Sequence, residues 1–231
     1  MGVQPVSPKR AQLNQQAGES ASIWYTDYDK SRRRMMQLEP THIARLEASI
    51  EQGSSLLDAL PKVIGDSEAC SGLWRFYSES WPAGGIQEWN SGSRWKHHWE
   101  AFLPPGAFAF GEDVFGNQLI VVPGEDDVLM WNHENGESTD LYLDPVNLLK
   151  TALNDGIDWI DLYGDGSLAV AKRFGHVARE SHLHWTTPLI LGGVVNDSNI
   201  SVVERELHLV GHANLWSQIR DLPPGTAITP M

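Results

Sequence analysis

The sequence predicts an α+β fold: a twisted antiparallel sheet with helices packed on one side, preceded by a helical N-terminal arm. Three observations carry that expectation. Apolar runs at residues 108–110, 119–122 and 128–131 are divided by acidic, glycine-bearing turns, the pattern of an antiparallel meander. Helical spacing flanks them at 41–60 and again from Val146. The chain has 231 residues, 41% of them hydrophobic, with ten tryptophans and one cysteine, so a core must form without disulfides and has the material to do so.

Taken in order, residues 1–22 are polar and lack a hydrophobic period, which reads as a mobile tail. Residues 23–69 read as a helical arm. Within it Ile43, Leu46, Ile50, Leu56, Leu57 and Leu60 follow helical spacing between the cap residue Thr41 and Pro61, with an interruption at Gly53. Residues 70–231 are expected to form the α+β domain with a C-terminal extension. Trp74, Tyr77 and Trp81 suit one face of a short helix that Pro82 and Gly84-Gly85 end, and short strand-like pieces follow. After the meander, Asp144 caps a helix in which Pro145 loses nothing by lacking an N–H, and the stop falls at Gly156. Residues 157–163 could prolong it. Residues 168–170 and 183–191 read as strands, and 202–210 fits strand or helix equally.

Charge narrows the function. Between residues 111 and 170 there are 13 acidic residues and a single base, Lys150, within a net charge of −13 for the chain. This excludes a duplex-binding surface, which needs clustered Lys and Arg against phosphates, and favours a basic protein partner. No stretch is long and apolar enough for a membrane helix, and the N-terminal run lacks the apolar centre of a signal peptide. The mature chain is therefore expected to begin near Met1, in the cytoplasm, without membrane or direct nucleic-acid contact.

Candidate chemistry is sparse. His182 and His184 would share one face of a strand, with Glu180 on the same parity, and His208 and His212 would share one face of a helix. The four could meet on zinc, but nothing in the sequence indicates that the two pairs meet. They are read as structural or surface histidines, with a metal-dependent enzyme as the alternative. His97-His98 reads as a polar strand edge and Cys70 as a buried or incidental thiol. No nucleophile elbow, phosphate-cradling glycine loop or EF-hand loop is present. No cofactor and no catalytic residue are expected.

The run FAFGEDVFGNQLIVV, then VLMWNHENGE and the helix DPVNLLKTAL, resembles the SUKH superfamily. That superfamily includes the Smi/Knr-type cell-wall regulators and many bacterial immunity proteins. The resemblance lies in Gly111, Phe115, Gly116, Asn117, Trp131, His133, Glu134 and Leu149. Upstream, FYSESWPAGGI is similar to the opening helix and Gly-Gly turn of such domains. The ending, PLILGG and NISVVERELHLVGHANLWSQI, looks like the close of type VI secretion immunity proteins. The resemblance implies a cytoplasmic immunity protein that binds and occludes a cognate toxin without catalysis. An intracellular regulatory or scaffold module is the further alternative. Nuclease toxins fit the acidity, because they present cations to phosphates. The residues expected at the partner are Glu112, Asp113, Glu125, Asp126, Asp127, Trp131, Glu134 and Glu137.

Overall fold

A computed structural model describes residues 36–154, 166–223, 225 and 226. The expected tail at 1–22, the stop at Gly156 and the helical prolongation at 157–163 lie outside the described residues. The rest is α+β. Strands β1 (Met36–Gln37), β2 (Ser67–Ala69), β3 (Trp74–Phe76), β4 (Phe108–Asp113), β5 (Gln118–Val121), β6 (Leu129–Asn132) and β7 (Glu137–Asp140) form one sheet in chain order. All neighbours are antiparallel except β1 and β2.

The meander expected at 108–131 is present as β4, β5 and β6, with β7 added beyond the turn at Gly136. Gly111 sits at the register shift in β4, and a Cβ there would meet the Arg75 carbonyl at 2.8 Å, so β3 and β4 approach only because the side chain is missing. Helical spacing at 41–60 yields two helices, α1 (Pro40–Glu51) and α2 (Leu56–Val63). Gly53, at φ +90°, supplies the left-handed residue between them, and Ser55 caps α2 by accepting from the Asp58 N–H. Asp144 caps α5 (Pro145–Leu153) by accepting from Val146 and Asn147, as the sequence predicts.

Several expectations need correction. The boundary at 69/70 is not a domain boundary, since β1 and β2, from the expected arm, hydrogen-bond into the same sheet as β3 to β7. Residues 74–76 form a strand instead of a helix. Both faces of β3 are buried, so the alternation that marks a half-exposed strand is absent and the spacing of Trp74, Tyr77 and Trp81 mimics a helix. The strand-like pieces beyond are short helices, α3 (Gly85–Trp89) and α4 (Trp95–Trp99), the latter carrying His97 and His98 exposed on a helix. Residues 168–170 belong to helix α6 (Ser167–Phe174).

The C-terminal third forms a separate hairpin of β8 (Ser181–Trp185) and β9 (Ile200–Glu204), followed by α7 (Arg205–Ile219). The ambiguous segment 202–210 is thus strand, then helix, the change falling at Glu204, whose carboxylate accepts from the Glu206 and Leu207 N–H groups. On one face of the central sheet, register aligns Arg75, Glu112, Gln118 and Trp131, and on the other Phe76, Gly111, Leu119 and Met130. Both rows are buried, so the sheet is covered more completely than one-sided packing requires. The hairpin and α7 meet the first row: the Leu183 N–H donates to the Val114 carbonyl, and Trp99 Nε1 donates to the Leu209 carbonyl. No described helix is long and apolar enough to cross a membrane.

Candidate functional site

The eight residues expected at a partner surface divide into two groups. Glu125, Asp126 and Glu137 are exposed and Asp127 is half-buried. Together with Asp140, the three acids at 125–127 line a concavity of about 320 Å³, with Pro104, Val122 and Leu129 as its apolar wall. The β5–β6 turn brings 125–127 to this edge, and β7, paired to β6 with Asp140 opposite Leu129, brings the fourth carboxylate. No described Lys or Arg pairs with any of the four. With no cationic partner among the described residues and grouped around one hollow, they form a concentrated negative edge.

The remaining expectations are corrected by burial. Trp131 has no exposed surface; it packs edge-on against Trp99 at 4.7 Å between centroids and, tilted, against Trp95 at 5.4 Å, within a column that continues through Trp89 and Tyr77 to Trp81. Asp113 is 1% exposed and holds the β4–β5 turn: Oδ1 accepts from the Phe115 and Asn117 N–H groups and Oδ2 from the Asn117 amide. Burial pushes its pKa up to about 7 against the donors that favour the ion. Glu134 is turned inward, its Oε1 3.9 Å from His212 Nε2 and its Oε2 accepting from the Leu189 N–H.

Glu112 is fully buried beneath the C-terminal hairpin. Its Oε1 lies 3.0 Å from Arg205 Nε and 3.8 Å from Arg75 Nη1, and its Oε2 accepts from Tyr77 Oη at 2.8 Å and from His182 Nε2 at 2.9 Å. Arg75 continues to the carbonyls of Val177 and Ser181, and the Arg205 guanidinium lies 4.0 Å over the Trp81 ring. Burial alone would raise the Glu112 pKa, but Arg205, His182 and Arg75 outweigh it and hold the carboxyl down to about 2. His182 itself is pushed below its ordinary value by burial, so at neutral pH it donates as a neutral ring and the two arginines supply the compensating charge.

The two histidine pairs, whose meeting the sequence leaves open, come together. His182 and His184 on β8 reach His208 on α7: His182 Nδ1 is 3.2 Å from His208 Nδ1, and His184 Nδ1 is 3.1 Å from His208 Nε2. His133, from the β6–β7 turn, joins them. Its ring centroid lies 4.6 Å from those of His208 and His212, which are 4.7 Å apart, and one nitrogen from each of these three lies within 4.8 Å of the others. Burial, then the neighbouring rings, pushes His133 and His208 well below the ordinary histidine range and His212 down to about 4, so the trio is neutral at pH 7. His133 was legible only as part of the WNH run. Its parity with Trp131, which faces the hairpin, is the signal that places it here.

The partners assign the tautomers. Because His182 Nε2–H donates to Glu112, its Nδ1 accepts the His208 Nδ1–H, and the His208 lone pair is then on Nε2. Asn117 donates its amide to Asp113, so its Oδ1 accepts the His133 Nδ1–H at 3.0 Å and leaves the His133 lone pair on Nε2.

Gly116 makes room for this arrangement. It has φ +95°, and a Cβ would stand 2.6 Å from His182 Nδ1. Gly116→Ala is expected to cost about 2 kcal/mol or more, combining left-handed strain with displacement of the ring. Gly124→Ala, at φ +90° with open space around it, should lose only the backbone part. Urea midpoints of the two variants measure the difference; equal losses would mean that His182 yields freely.

No protein-family model and no curated protein matches the chain. Among solved structures, it is similar to the crystal structure of Atu4351 from Agrobacterium tumefaciens, with 15% identity, a TM-score of 0.45, and coverage of 78% of this chain and 83% of that one.

Proposed function

We propose that the protein is a SUKH-like immunity protein of the cytoplasm that captures a basic toxin through the acidic edge at Glu125, Asp126, Asp127 and Asp140, without catalysis of its own. The single observation that carries the reading is the gathering of these four carboxylates, free of described cationic partners, around one concavity with an apolar wall. Glu137, exposed on the same edge strand as Asp140, extends the negative surface. Such a surface attracts a cationic partner over a Debye length and competes for the lysines and arginines that a nuclease needs for phosphates. The resemblance across residues 108–153 supports the same reading.

Co-expression with a toxin encoded beside this gene tests it. The wild-type chain is expected to protect growth, and the variant Glu125→Lys/Asp126→Lys/Asp127→Lys to protect measurably less at the same soluble level. Equal protection by the two chains contradicts the reading. Co-purification with a protein other than a toxin would favour a regulatory module using the same edge.

A further inference from the structure

We propose that His133, His208 and His212 form a binding site for a zinc-class divalent transition metal, a site separate from the acidic edge and independent of the reading above. Three observations converge on it. First, the donors are built in, and two of the three rings, His133 and His212, carry nitrogens without a hydrogen-bond partner. His133, 2% exposed, has a buried Nε2 with no hydrogen bond, and both ring nitrogens of His212, 4% exposed, are likewise unpartnered. A buried polar atom left unsatisfied is costly, and two such rings beside a third require an explanation. A cation accepting their lone pairs supplies one.

Second, the lone pairs are aimed by a supporting shell of the kind that orients metal-binding imidazoles. Asp113 fixes Asn117, which fixes His133; Glu112 fixes His182, which fixes His208. Each chain of contacts begins at a buried carboxylate and ends on a ring whose lone pair is on Nε2, unpartnered in His133 and accepting from His184 in His208. Third, the chemistry selects the metal. Three neutral imidazoles suit zinc and its neighbours, whereas magnesium and calcium take oxygen ligands. Zinc–nitrogen bonds of about 2.0–2.1 Å place tetrahedral ligands roughly 3.3 Å apart. The donor atoms, already within 4.8 Å of one another, need only side-chain rotation to close.

Two further groups border the trio. His184 Nδ1–H now donates to His208 Nε2, so metal binding would break that bond and turn the half-buried ring toward solvent or toward the ion. Glu134 Oε1 lies 3.9 Å from His212 Nε2. An ion here would tie α7 to the β6–β7 turn, and so fasten the C-terminal hairpin and helix to the large sheet.

The test uses untagged full-length protein stripped with chelator and titrated with Zn²⁺ and Co²⁺. The expected result is saturation at one ion per chain, visible absorption bands of tetrahedral nitrogen-ligated cobalt, and a rise in the thermal midpoint that chelator reverses. His133→Gln and His212→Gln should each lose at least tenfold in affinity, while His97→Gln/His98→Gln, on exposed α4, should leave binding unchanged. Should a core variant fail to fold, the wild-type cobalt spectrum still decides: an octahedral spectrum or no uptake overturns the proposal. Loss of binding in the His97/His98 variant would also overturn it.

Discussion

Glu112→Gln is expected to lower stability by about 3–5 kcal/mol, because it leaves Arg75 and Arg205 buried without their counter-charge while barely changing shape. At roughly 2–4 °C per kcal/mol for a chain of this size, the thermal midpoint should fall by roughly 6–20 °C. The pH dependence carries the same signature. A carboxyl held down to about 2 contributes stability that is fully present above its ordinary value of 4.5 and lost as pH falls from 4.5 toward 2. The wild type should therefore lose about 3 kcal/mol across that window that the glutamine variant has already lost. Denaturant unfolding of both proteins at pH 7, 4.5 and 3 checks this. A constant difference between them at all three values would mean that Glu112 is not the group titrating.

Trp131→Ala is the second large effect. The expected cost is about 3–5 kcal/mol, since the indole is fully buried between Trp95 and Trp99 and its removal opens a cavity in the middle of the aromatic column. On sequence alone this tryptophan is expected at the partner surface, where truncation would cost affinity with little change in stability. The structure reverses the expectation. The thermal midpoint should collapse, while the folded fraction at low temperature associates with a partner at the wild-type rate. A stable variant that binds poorly would restore Trp131 to the interface.

The meander from 108 to 132 and the cap at Asp144 were legible because their signals are local: glycine at the turns, short apolar runs and a carboxylate placed to accept backbone N–H groups. β3 was not, since a strand buried on both faces shows no period of two. The helix α6 was hidden because three apolar residues at 168–170 are too few to carry a period. The histidine pairs illustrate the same division. Their faces were readable from spacing, on a strand for His182 and His184 and on a helix for His208 and His212. Their meeting depends on the hairpin docking over Glu112, a long-range event that spacing does not encode. The charge count failed differently: it located an acidic segment but treated its members alike. Alternation along β4 and the polar turn after it turned Glu112 and Asp113 inward, leaving the β5–β6 turn and β7 to carry the exposed charge.

The association rate between this protein and the proposed cationic partner, measured by stopped flow at low and high salt for the wild type and for Glu125→Lys/Asp126→Lys/Asp127→Lys, tests the acidic edge most directly. The reversed chain should associate about tenfold or more slowly at ionic strength near 0.01 M, with the gap closing toward 1 M as the Debye length shrinks from about 30 Å to about 3 Å. Identical rates at low salt, with both chains folded, would show that the partner docks elsewhere.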